Sequence, residues 1–240
     1  WEGGFAQAEY SNDLVSAFVS LNASNTSYKR IDYFRYADDG PDKETDWINF
    51  FSYGAKGGAN FNLDDNHKVF GNVGYFERAP FFNTVFLNNR NIANDDAENQ
   101  KIFSAELGYG FRNQNLRVDF NLYRTAWKDK TLARSFVQGN QQIFANILGV
   151  DALHQGIELE FEYKATDRLN ITGMMSLGDW KWDNNIDNVD ILAEDGTTVL
   201  GTINVAIDGV EVGNSAQTTA ALGLNYEVFP SSFLRGDLTY

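Results

Sequence analysis

The sequence predicts an all-β chain: about ten strands of a transmembrane antiparallel up-and-down β-barrel, part of a larger barrel, with short periplasmic turns and long extracellular loops. Three features point there. Apolar residues recur with a period of two. The patterned stretches run longer than the roughly five or six residues usual in soluble sheets. Tight polar turns alternate with long connections along the whole chain.

The period is clearest from His154 to Ala165, where Ile157, Leu159, Phe161 and Tyr163 oppose Glu158, Glu160 and Glu162. Leu116, Val118, Phe120 and Leu122 oppose Arg117, Asp119, Asn121 and Tyr123 in the same way. Phe103 to Phe111 and Leu169 to Leu177 continue the pattern. Such strands separate an apolar surface from a strongly polar one. They fall near 1–10, 14–29, 47–63, 67–78, 101–112, 116–129, 154–165, 169–182, 215–228 and 233–240. Most suit the ~9–11 residues a tilted strand needs to cross a bilayer.

Tight turns stand at Ser11-Asn12-Asp13, Asp64-Asp65-Asn66, Asn113-Gln114-Asn115, Thr166-Asp167-Arg168 and Pro230-Ser231-Ser232. Long connections cover about 30–46, 79–100, 130–153 and 183–214. A soluble two-sheet protein has no reason to gather its long loops at one end, whereas an outer-membrane barrel does. With the short turns periplasmic, Trp1, Trp47, Trp127, Trp180 and Trp182 all fall at the outer strand ends and read as a membrane-interface belt. Tyr10, Phe61, Phe70, Tyr109, Phe111, Tyr163, Tyr226 and Phe233 mark the other ends. Pro41, Pro80 and Pro230 all lie in connections, so none interrupts a ladder.

Composition excludes several classes of function. A formal charge of −14 argues against nucleic acid, whose phosphates need Lys and Arg. The absence of Cys rules out a disulfide framework and thiol chemistry. No apolar run approaches the ~18 residues of a membrane helix, a test to which barrel strands are blind. Trp1-Glu2-Gly3-Gly4-Phe5 already belongs to a patterned segment, so no signal peptide is read there.

At Gly74-Tyr75-Phe76-Glu77-Arg78-Ala79-Pro80 the chain resembles the TonB-dependent receptors, which often carry Arg-Ala-Pro where a strand enters an outer loop. The resemblance continues in order through Glu98-Asn99, Glu106-Leu107-Gly108-Tyr109-Gly110, Asn121 to Asp129, and His154-Gln155-Gly156-Ile157-Glu158. It implies a large barrel plugged by an N-terminal domain, in the outer membrane of a Gram-negative bacterium among lipid and lipopolysaccharide. It also implies import of a scarce nutrient (a ferric siderophore or similar chelate, cobalamin or a glycan) with energy from the TonB complex acting through the plug. The chain departs from the family pattern in lacking the plug and in offering ten strands where about 22 close a plugged transporter. Residues 1–240 are therefore expected to be part of one receptor barrel domain.

Where the outer loops meet the lumen, Arg78, Phe81, Phe82, Arg90, Arg134 and Phe136 offer charge and aromatic surface for substrate. His154 has lumen parity near the outer rim and joins that set, while His67 reads as a solvated turn residue. Phenylalanines beside Arg78 also fit a plainer role, packing the loop onto the rim. The ladder Glu158, Glu160 and Glu162, with Glu106, reads as a hydrated lumen face paired with Arg117, Lys56 or the plug. From Asp183 to Asn214 there are seven acidic residues and no Lys or Arg. Asp183, Asn185, Asp187 and Glu194 there hold a calcium-loop spacing, but Asn188 stands where the sharp turn needs Gly, which favours a solvated acidic loop. No catalytic group, resident metal or cofactor is implied. Two rivals keep the barrel and change the task. A complete ten-stranded barrel of the omptin protease type would use His154 with Asp151, and a passive porin would need neither.

Overall fold

The computed structural model describes residues 1–36, 40–139 and 141–240. Among these residues, twelve strands join in one antiparallel sheet. They are β1 (Glu2–Ser11), β2 (Val15–Tyr28), β3 (Ile48–Asn62), β4 (His67–Arg78), β5 (Gln100–Arg112) and β6 (Leu116–Gln138). The rest are β7 (Gln141–Lys164), β8 (Leu169–Trp182), β9 (Ile186–Leu192), β10 (Val199–Val205), β11 (Thr218–Phe229) and β12 (Ser232–Thr239). Sequence neighbours pair from β1 to β8, then β8 pairs β11 and β11 pairs β12. Among the described residues β1 pairs only β2 and β12 only β11, so the sheet is an open arc of barrel wall.

The short turns repeat one device. Asn12, Asp64 and Asn113 each turn a side-chain oxygen back onto two backbone N–H groups at 2.7–2.9 Å. The Thr166 hydroxyl accepts from the Arg168 and Leu169 amides in the same way. A short polar side chain thus replaces the missing ladder partners at four of the five turns.

Register then sorts the side chains. Leu107, Leu122, Ile157 and Leu177 form one row on the outer face, and Tyr109, Phe120, Leu159 and Met175 the next. The opposite face carries Asn72, Glu106 and Tyr123 in one row and Asn121 and Glu158 in another. The apolar row is open to its surroundings: Leu107 is 60%, Val73 57% and Leu21 56% exposed. In water each would forfeit roughly 25 cal/mol for every Å² left uncovered, a cost that a lipid environment removes.

Three outer connections are built rather than loose. In 79–100 a short helix, α1 (Phe82–Val85), buries its Val85 and the Phe86 that caps it against Phe50, Tyr28 and Ile48. The third long connection expected at 130–153 is instead strand. β6 and β7 run on past the rim as paired strands as far as Gln138 and Gln141, because the bulges at Asp129 (φ 59°) and Gly149 (φ 66°) re-aim the ladder without ending it. The acidic connection at 183–214 likewise contains the β9–β10 hairpin, which pairs β7 at Phe144 and Ala145. Val189 packs there with Ala145, Ile147 and Val150, flanked by Leu132, Trp182 and Ile191. Among the described residues the count is therefore twelve strands, two more than the periodicity indicated, since β9 and β10 lie in a stretch too acidic to read as paired strand.

Candidate functional site

The belt expected of the five tryptophans divides by face. Trp127, Trp180 and Trp182 stand at the outer strand ends but share the face of the glutamates, not the apolar face. Trp1 lies over Gly3 on that same polar parity, since a Cβ at Gly3 would meet its ring at 2.9 Å. Only Trp47 keeps the parity of Phe51 and Tyr53. With Tyr75 and Phe103 these supply the outward aromatics at that level. A count along the strand fixes height; the face depends on register, which brings the other tryptophans inward. At the periplasmic ends Tyr10, Phe61, Tyr109, Phe111, Tyr163 and Tyr226 face outward, whereas Phe70 and Phe233 face in.

The inward tryptophans assemble a cluster around His154. The imidazole lies 5.5 Å from the Trp180 ring and 6.5 Å from that of Trp127, and its Nδ1 is enclosed without a partner. Trp180 donates its indole N–H to the Tyr123 hydroxyl at 2.9 Å. Tyr123 fits because the residue opposite it is Gly156, where a Cβ would stand 2.6 Å from that hydroxyl. Lys130 covers the Trp127 ring at 4.1 Å. Burial, and then the nearby charge of Arg78, hold the Lys130 ammonium below the ordinary lysine range.

Arg78, at the end of β4, lies with its guanidinium 4.5 Å above the Phe81 ring. Phe82 takes the packing role, with its ring 5.8 Å from Tyr28 and 4.9 Å from Phe86. Arg90 is partly buried, its Nε enclosed without a partner. Arg134 lines a cleft of about 160 Å³ with Asn83, Asn88, Asn146 and Leu192, and Phe136 is exposed farther along the β6–β7 hairpin. Arg78, Phe81 and His154 thus gather at the upper inner face, while Arg134 and Phe136 stand apart on the protruding hairpin. Lys130, Trp127, Trp180 and Tyr123 join the first group and were absent from the sequence-derived contact set. Strand alternation carries the signal for the tryptophans, which share the parity of Tyr123 and Glu158, but nothing in the sequence announces the bulge that turns Lys130 inward.

Several expected pairings resolve differently. Arg117 keeps its place opposite Glu162, within reach of the Glu160 and Glu162 charges, but its Nε donates to Asp119 in its own strand at 2.6 Å. Glu106 and Glu162 instead accept from the Asn72 and Asn170 amides, and Lys56 lies over Phe18. His154 and Asp151 do not meet: they have opposite parity, and Asp151 accepts from Lys128 Nζ at 2.7 Å. His67, beside its turn and partly exposed as expected, also places its Nδ1 2.6 Å from the Tyr109 hydroxyl. The calcium-loop spacing is not a loop. Strand β9 takes in Asp187, Asp183 turns to Lys128, and the Asn185 side chain accepts the Ile207 and Asp208 amides.

No curated protein matches the chain. Among solved structures it is similar to the copper transporter OprC, with 17% identity and a TM-score of 0.66, covering 94% of this chain and 33% of that one. It also matches a ferric enterobactin receptor mutant from Pseudomonas aeruginosa (9% identity, TM-score 0.37, 99% and 47% covered). A siderophore receptor, PirA from Acinetobacter baumannii, matches at 13% identity and a TM-score of 0.32, with 99% and 49% covered. Only the first likeness bears on the fold, and this chain spans about a third of OprC's length. The family profile described as TonB dependent receptor-like, beta-barrel matches residues 2–240. With its two-faced up-and-down sheet, the chain belongs to the TonB-dependent receptor-like β-barrel family.

Proposed function

We propose that this chain is part of the wall of an outer-membrane receptor that imports a scarce small-molecule nutrient, such as a ferric siderophore or similar chelate, cobalamin or a glycan. The wall stands in lipid and lipopolysaccharide of a Gram-negative cell. Substrate binds where the outer connections meet the inner face, and movement of a plug domain, driven by the TonB complex, admits it. No covalent step is needed. One observation carries the reading: a built outer layer rises over an inner face lined with Arg78, Lys130, Trp127, His154 and Trp180. Substrate-retaining sites concentrate on connections held by such a rigid scaffold.

The test is uptake by cells carrying the whole receptor gene, with tonB intact or deleted, against a panel of labelled chelates, cobalamin and glycans. Accumulation of one compound that vanishes without TonB supports the reading. Accumulation that persists without TonB establishes passive diffusion in its place.

A further inference from the structure

The chain is strongly acidic, at −14, yet its upper inner face gathers cations that no carboxylate meets. Among the described residues, Arg78 and Lys130 have no carboxylate within 4.0 Å and rest on the Phe81 and Trp127 rings. The contrast with the other face at the same height is direct. Lys101 holds Asp129 at 2.6 Å, Lys128 holds Asp151 at 2.7 Å and Lys181 holds Asp179 at 2.6 Å. These three outward cations are neutralised by neighbours; among the described residues the inner pair is not.

Register brings that pair together. Arg78 lies directly opposite Gln100, and Lys101 opposite Lys128, so Gln100 stands beside the bulge that carries Lys130. That bulge places one extra residue in β6 between Trp127 and Lys130, returning Lys130 to the inner face above Trp127. Two like charges held near each other and partly out of water repel, and an anion between them removes that repulsion. The aromatic faces beneath fix both cations from below and leave their outward N–H groups free to donate.

We propose that Arg78 and Lys130 are the anion-recognising element of the site, so that the imported molecule presents an oxyanion, a carboxylate or a phosphate, to them beside Trp127. This rests on the uptake reading above and supplies the substrate charge which that reading leaves open. Arg78 is the exposed member and meets the ligand first, and half-buried Lys130 completes the contact.

The test uses the whole receptor in detergent micelles and iodide as the probe, with neutral acrylamide and cationic caesium as comparisons. Quenching of Trp127 fluorescence is obtained as the difference between the native protein and Trp127→Phe. Relative to acrylamide, iodide should quench Trp127 roughly threefold more efficiently than it quenches the remaining tryptophans, because clustered cations concentrate anions. Arg78→Gln combined with Lys130→Gln should abolish that preference, and Lys130→Arg should keep it. Heat-modifiable gel mobility reports whether each variant is a folded barrel; if the double variant is not, each single change should remove part of the preference. Caesium quenching Trp127 better than iodide, or an iodide preference untouched by these substitutions, overturns the proposal. Uptake independent of TonB would overturn the transport reading while leaving an iodide preference in place. TonB-dependent uptake without that preference would sink the anion site alone.

Discussion

Lys130 lies 4.1 Å from the centre of the Trp127 ring, three residues before it in β6, because the bulge at Asp129 returns both to one face. Three residues apart in an unbroken strand would put them on opposite faces. Asp129 holds φ at 59°, a region that short polar side chains tolerate and β-branched ones do not. Asp129→Val should cost about 1–3 kcal/mol, and Asp129→Asn much less, as read from urea unfolding of the purified protein in lipid vesicles. Equal costs would remove the backbone role given to Asp129.

The Trp180–Tyr123 hydrogen bond at 2.9 Å depends on the bare backbone at Gly156. Tyr123→Phe strands the indole N–H and should cost about 1–3 kcal/mol. Gly156→Ala should do more, since its Cβ would fall 2.4 Å from the Leu177 carbonyl as well. Both should change the tryptophan emission maximum. An unchanged spectrum in Gly156→Ala would mean that the ring does not lie where described.

Asp195 caps the turn between β9 and β10. Its carboxylate accepts from the Thr198 hydroxyl and from the Thr198 and Thr197 amides, which holds its pKa down to about 2. A depressed carboxylate contributes stability that is present above its ordinary value of 3.8 and is lost as pH falls through about 2. Hydrogen exchange across residues 193–199, corrected for intrinsic rates, should therefore rise between those limits in the native protein. Asp195→Asn should show no such step.

The two faces should respond differently to the same charge. Leu107→Arg places a cation mid-strand on the apolar face and should cost about 2–4 kcal/mol in a bilayer. Asn121→Arg places it on the inner face beside Glu158 and should be tolerated. The fraction assembled as heat-modifiable barrel reads the difference, and equal assembly of both variants would contradict the assignment of faces.

Much of this was legible in the sequence for a local reason: side-chain alternation and turn chemistry are short-range. The ranges of β4, β5, β6 as far as the rim, and β8 follow from alternation alone, and the turn at Asn113 from one residue type. What escaped depends on register or on long-range pairing. β9 pairs β7 more than forty residues away in sequence, at Phe144 with Leu192, and nothing local in Asp187 or Asp190 announces a strand. Trp180 looked like a belt residue because counting gives height but not face. The upper site was half visible: Arg78, Phe81 and His154 were singled out by their place at the rim, while Lys130 needed a bulge that no residue pattern marks.

The central claim is that one face of this sheet meets lipid and the other an aqueous lumen. The chain contains no Cys, so single cysteines can be placed through β6 without background from this segment. The direct measurement is spin-label accessibility at positions 117–123 in the whole receptor in vesicles, with oxygen as the lipid-soluble relaxant and a nickel chelate as the water-soluble one. Labels at Val118, Phe120 and Leu122 should respond to oxygen, and labels at Arg117, Asp119, Asn121 and Tyr123 to the nickel chelate, alternating residue by residue. Uniform exposure of all seven positions to the nickel chelate would contradict the account, leaving a β-sheet in water.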